Sequence, residues 1–147
     1  MAITLHGTKN DNTDLLISAP SFSARISSDQ TVSATTFTKM ECATEDWDTD
    51  SKYDNVTNYR FTPTVAGYYN FNLAIRCNST GPNIIALYKN GAIWKRKVTT
   101  GHQYASLSIL VTADADDYFE AYGYSAGTTF NANADDNYFQ AFFVRPL

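Results

Sequence analysis

The sequence predicts an all-β fold, a β-sandwich of two antiparallel sheets, and three observations carry that reading. Tyr69, Phe71, Leu73, Ile75 and Cys77 alternate with Asn70, Asn72, Ala74 and Arg76. Successive side chains of an extended strand point to opposite faces, so this pattern gives one buried face and one polar face. Asn90-Gly91 separates two apolar runs, and these residues supply the positive φ angles that a two-residue hairpin turn requires. Finally, no segment sustains an apolar period of 3.6 residues, so little helix is expected.

Taken in order, residues 1–19 read as a polar N-terminal arm that carries the apolar run Leu15, Leu16, Ile17, and residues 20–147 as the sandwich domain. Phe22, Ala24 and Ile26 alternate as one strand. After a Ser-Ser-Asp-Gln turn, Val32, Ala34, Thr36, Thr38 and Met40 alternate as a second. Residues 44–58 are acidic and rich in turn formers, which predicts a long loop. The strand over 67–77 ends in the turn cluster 78–83, and 84–89 with 92–98 form the hairpin around Asn90-Gly91. Ala105, Leu107, Ile109 and Val111 define the next strand, an acidic loop with Asp114, Asp116 and Asp117 follows it, and 118–124 is again extended. Residues 138–144 are almost uncharged, which predicts a central strand covered on both faces. About eight to ten short strands at these spacings point to a jelly roll.

The 147 residues suit one domain with a real core. A formal charge of −4 opposes a nucleic-acid partner, and the one basic cluster, Lys95, Arg96 and Lys97, reads as the solvated end of an exposed strand. No apolar run approaches the roughly eighteen residues of a membrane span, so no membrane partner is expected. The opening residues lack the basic and apolar regions of a secretory signal. Cys42 and Cys77 fit neither a disulfide framework nor a zinc motif, and are expected as free buried thiols, with a single bridge as the alternative.

Several of these segments resemble a known family. Phe22-Ser23-Ala24, Tyr53-Asp54, Phe61-Thr62-Pro63, Ala66-Gly67-Tyr68-Tyr69-Asn70-Phe71, Ala86-Leu87-Tyr88-Lys89-Asn90-Gly91 and the closing stretch from Tyr138-Phe139-Gln140-Ala141-Phe142 to Pro146 are similar to the globular head domain of complement component one-q. That family shares its jelly roll with the tumour necrosis factor superfamily. The chain departs from it at Asp116-Asp117, where the family has Gly-Asp, and at Phe139-Gln140-Ala141, where it has Phe-Ser-Gly. The resemblance implies a homotrimer whose subunits meet through apolar strands, with Tyr69, Phe71, Tyr138 and Phe142 as interface candidates. Composition points the same way: ten Tyr and nine Phe exceed what one interior of this size needs, although a single large core is the alternative.

Residues suited to catalysis are scarce. His6 lies in the arm and His102 follows Thr-Thr-Gly in a turn, so neither belongs to a recognisable triad. Asp46, Asp48 and Asp50 begin like a calcium loop, but Ser51 stands where Gly is needed and Thr57 where Glu is needed. Asp114, Asp116 and Asp117 could hold Ca2+ near a trimer apex, as in some members of the resembled family, against the plainer reading of an acidic loop; no other cofactor is expected. Trp47 and Trp94 are candidates for stacking on sugars or anchoring a partner, against simple rim packing. Asn55-Val56-Thr57 and Asn78-Ser79-Thr80 are glycosylation sequons that matter only if a eukaryote secretes the chain.

The function expected is therefore non-enzymatic: a trimeric structural protein of the virion surface, a bacteriophage capsid decoration or cement protein whose arm grips the major capsid protein or another virion protein. The alternative is the receptor- or glycan-binding tip of a phage tail or head fibre, which binds a host-surface glycan or protein. A hydrolase on this scaffold is a third reading, for which no paired acid and base can be named.

Overall fold

The computed structural model describes residues 19–133 and 135–147. Thirteen strands follow one another: β1 Ser21–Arg25, β2 Gln30–Thr31, β3 Thr38–Lys39, β4 Thr44–Asp48, β5 Tyr53–Asp54, β6 Arg60–Phe61, β7 Gly67–Arg76, β8 Asn83–Lys89, β9 Ala92–Thr99, β10 Tyr104–Ala113, β11 Phe119–Ser125, β12 Thr129–Phe130 and β13 Tyr138–Pro146. They contain no helix among the described residues. One sheet has the order β10-β7-β13-β1-β4; the other has the order β5-β6-β11-β8-β9, with β3 also beside β11. All pairings are antiparallel, and the first and last long strands lie side by side at the middle of the first sheet. This is a jelly roll.

Alternation in β7 selects the core. Tyr69, Phe71, Leu73 and Ile75 have no exposed surface, and from β13 Phe139, Ala141 and Phe143 join them. Phe22 stacks on Phe61 with ring centroids 4.6 Å apart, Phe71 meets Phe119 at 4.6 Å, and Phe139 meets Phe22 edge-on at 4.9 Å. Aromatic rings in these geometries add to the energy of burial. The two core tyrosines satisfy their hydroxyls locally: Tyr53 donates to the carbonyl of Cys42 at 3.1 Å and Tyr69 to that of Val65 at 2.8 Å.

The hairpin is as the sequence predicts. β8 pairs with β9, and Asn90 and Gly91 have φ of 53° and 79°. Cys42 and Cys77 are both buried and free, which sets the single bridge aside.

Three expectations need correction. Residues 32–40 do not form one strand: Thr35 takes a positive φ of 58° and donates its amide to Ser125, so only β2 and β3 find ladder partners. The segment 44–58 is not one loop, because β4 pairs with β1 through a bulge and β5 pairs with β6. Ladder hydrogen bonds are made by the backbone, so acidic side chains do not keep an edge strand from forming. Finally β13 is central, as expected, but it is covered on one face only: Phe142 is 49% and Val144 39% exposed.

Candidate functional site

Register assigns the outward face of the first sheet row by row. Leu110 lies beside Asn70, Asn70 beside Phe142, and Phe142 beside Ser21. The next row runs Ser108, Asn72, Gln140, Ser23 and Trp47, and the one after it Ser106, Ala74 and Tyr138. These are amide, hydroxyl and apolar side chains without a formal charge. Asn72 donates to Asn70 at 2.9 Å, and the hydroxyl of Ser23 contacts Gln140 at 3.3 Å.

Charge is kept to the margin of this face and is partnered there. Arg25 pairs with Asp46 at 3.0 Å and Arg76 with Asp136 at 3.5 Å. The guanidinium of Arg145 lies 4.1 Å from the ring centre of Tyr68, and that of Arg76 lies 5.5 Å from the ring centre of Tyr104. Leu110, Tyr104, Phe142 and Val144 are all exposed. A broad sheet face of this kind, apolar and amide-rich with a charged rim, has the composition of a protein contact surface.

The structure brings some interface candidates to this face and removes others. Phe142 and Tyr138 lie on it, the first exposed and the second half-buried. Tyr69 and Phe71 do not, because their parity along β7 turns them into the core, where they are fully buried and offer nothing to a second copy. Trp47 stands exposed at the edge of the same face, beside Ser23. Trp94 is exposed on β9, at an edge of the other sheet, with the ammonium of Lys89 5.5 Å from its ring centre. Leu15, Leu16, Ile17 and His6 lie outside the described residues.

The acidic candidates are otherwise engaged. Asp117 is buried, and its carboxylate accepts from Lys89 at 2.8 Å, from Asn90 at 2.7 Å and from the amide of Asp114 at 2.7 Å. Burial raises its pKa, but these contacts, that with Lys89 first, outweigh burial and leave it lowered. Asp114 and Asp116 are exposed and do not converge with it, and no three His, Cys, Asp or Glu among the described residues are placed to hold a metal ion. The ammonium of Lys89 already neutralises Asp117, so the arrangement of Asp114, Asp116 and Asp117 matches the plainer reading of an acidic loop. Asp46 is spent on Arg25, and Asp48 accepts the amides of Asp50 and Tyr53. His102 is exposed in its turn.

Sequence reasoning missed one feature, an aromatic row on the outward face of the second sheet. Tyr88 and Tyr122 stack at 3.9 Å, and Phe37 lies 5.4 Å from Tyr124 and 6.3 Å from Tyr88. Beneath them Glu120 is buried, paired with Lys39 at 2.6 Å and Arg60 at 3.4 Å. The signal was present as Tyr at 118, 122 and 124, all of one strand parity.

No protein-family model matches the sequence, and no curated protein matches it. Solved structures do. The chain superposes on the globular domain of zebrafish complement 1qA with a TM-score of 0.65 at 14% identity, over 87% of this chain and 99% of that one. The fold is that of the complement 1q and TNF jelly rolls. The Eiger TNF of S. frugiperda is similar at a TM-score of 0.65 and 11% identity, over 88% and 93% of the two chains. The PRD1 vertex protein P5 is similar at 0.60 and 12%, over 86% and 96%. At these identities the jelly roll is what the proteins share.

Proposed function

We propose that this chain is a non-enzymatic structural protein that works as a homotrimer on the surface of a virus particle, most specifically a bacteriophage capsid decoration or cement protein. One observation carries the reading: the central strand β13 leaves Phe142 and Val144 uncovered in a sheet face whose charges sit at its margin. Covering that face with two further copies removes apolar surface from water and leaves the paired arginines at the rim. Likeness in fold to a PRD1 vertex protein supports a place on a particle.

In this reading residues 20–147 form the assembling jelly roll, and residues 1–19 form an arm that lies on the shell through Leu15, Leu16 and Ile17. Three arms per trimer bind a threefold site with avidity and stabilise the assembled shell by mass action, against the major capsid protein or another virion protein. A binding role asks for no turnover, and the thiols of Cys42 and Cys77 are buried with their pKa values raised by desolvation.

Native mass spectrometry of the purified chain tests the assembly: a trimer is expected, and a stable monomer overturns the reading. Deleting residues 1–19 is expected to leave a folded trimer that no longer binds particles. Retained particle binding refutes the role of the arm. A second reading, the tip of a tail or head fibre that binds a host-surface glycan, is favoured by the exposure of Trp47. A reproducible glycan-array hit lost on Trp47→Ala selects it.

A further inference from the structure

The second sheet turns a different surface outward, and the assembly reading makes no use of it. Register sets Arg96, Ala86, Tyr122 and Lys39 in one row across β9, β8, β11 and β3. The adjacent row carries Ile93, Tyr88, Glu120, Arg60 and Asp54. Of the two carboxylates here, Glu120 is consumed by Lys39 and Arg60, and Asp54 by the amides of Val56, Thr57 and Asn58.

The edge strand β9 beside the aromatic row carries unspent cations. Lys95, Arg96 and Lys97 form no ion pair among the described residues, where the paired cations are Arg25, Lys39, Arg60, Arg76 and Lys89. All three are exposed on an edge strand of a protein whose formal charge is −4. Parity turns Lys95 and Lys97, in register with the core residues Leu87 and Ile85, to the other side of the strand, so Arg96 is the unpaired cation on the tyrosine face and marks a local complement to an anion.

Ring geometry narrows what the anion is attached to. Tyr88 and Tyr122 spend one face each on one another, and the guanidinium of Arg60 lies 4.4 Å from the ring centre of Tyr118. Flat bases that need open aromatic faces therefore find few. Hydroxyl-bearing edges remain: the buried Tyr53 and Tyr69 donate to carbonyls, whereas Tyr88, Tyr122 and Tyr124 have no hydrogen-bond partner among the described residues. Each phenol both donates and accepts, which suits a ligand dense in hydroxyls.

We propose that the face formed by Arg96, Tyr88, Tyr122 and Tyr124 binds an acidic oligosaccharide. Its carboxylates meet Arg96, its hydroxyls exchange hydrogen bonds with the tyrosine edges, and the C–H faces of its sugar rings lie over Phe37. The site lies on the sheet opposite the assembly face and is independent of Trp47.

Titration calorimetry of the full chain with tetragalacturonate and with tetrasialic acid tests this, with maltotetraose, a glutamate tetrapeptide and a short oligothymidylate as competitors in class. At least one acidic oligosaccharide is expected to bind saturably, about tenfold or more tighter than maltotetraose, and to weaken with added salt. Arg96→Gln, on an exposed strand, is expected to weaken it about tenfold. Tyr122→Phe, which keeps the ring, is expected to weaken it by a smaller factor with thermal unfolding unchanged. Three results overturn the proposal: neither acidic oligosaccharide saturates, Arg96→Gln binds as the parent does, or the peptide or oligothymidylate binds more tightly than the sugar. Native mass measured on the same sample separates the readings: a trimer that binds no sugar sinks this inference alone, and a monomer that binds sinks the assembly alone.

Discussion

Replacing Phe142 by aspartate places a charge at the middle of the proposed assembly face. Phe142 is 49% exposed in one subunit, so about half of its surface is left for a neighbour to cover. Full burial of a phenylalanine side chain stabilises by about 1.5–3 kcal/mol, which makes the uncovered half worth about 1 kcal/mol per subunit and about 3 kcal/mol per trimer. The carboxylate adds a desolvation cost of several kcal/mol per copy, and Asn70 and Ser21, its register neighbours, carry no cation to repay it. The trimer is therefore expected to lose well over 3 kcal/mol, more than a hundredfold in its assembly constant. The isolated subunit is expected to change by less than about 0.5 kcal/mol, because the side chain is solvated there. Sedimentation velocity over a dilution series reads the first quantity, and urea unfolding of dilute protein reads the second. An unchanged trimer refutes the reasoning; so does a variant that unfolds outright, since that places Phe142 in the core.

Phe71→Ala tests the converse, since a fully buried ring removed from the core should cost about 3–5 kcal/mol in urea unfolding while the folded fraction keeps its assembly state. Gly123→Ala directs a methyl against Ile75 Cδ1 and to 2.6 Å from Phe130 Cζ, and is expected to cost about 1–3 kcal/mol with a lower melting temperature. Acid should act through Asp54, whose carboxylate is lowered to about 2 by the amides of Thr57 and Val56 first and by Asn58 after them. In the unfolded chain this group titrates near its ordinary value, so its contribution is complete above about pH 4 and is lost as pH falls toward 2. Asp54→Ala should flatten that part of the stability profile, and an identical acid limb in both proteins refutes the assignment. Burial pushes the Cys42 thiol up to about 12 and raises that of Cys77, so neither should react with an aromatic disulfide reagent near pH 8 until the protein is denatured.

Much of the fold was legible because it rests on parity and on turn chemistry, both local. The alternation of Tyr69, Phe71, Leu73 and Ile75 with Asn70, Asn72 and Ala74 defines which face of β7 is buried, and Asn90-Gly91 defines its hairpin, before any partner strand is known. The short strands were less legible. Thr38–Lys39 and Thr44–Asp48 are extended because β11 and β1 offer backbone partners, and their side chains give little sign of it.

The candidate sites divide along the same line. That β13 is central and nearly uncharged followed from its residues, but that its outer face stands open followed only from the order β10-β7-β13-β1-β4. Tyr69 and Phe71 are interface candidates by family resemblance, whereas their parity along β7 turns them inward.

By itself, then, the sequence determined the strand-rich class, the inward sets of β7 and β10 and the tight turn at Asn90-Gly91, because these depend on neighbours within a few positions of the chain. Tertiary structure decided which outward faces carry surplus apolar or aromatic surface and which charges are already spent. Glu120 meets Lys39 across 81 positions and Arg25 meets Asp46 across 21. Whether a charge is free for a partner is set by such distant contacts, and no local pattern of residues encodes them.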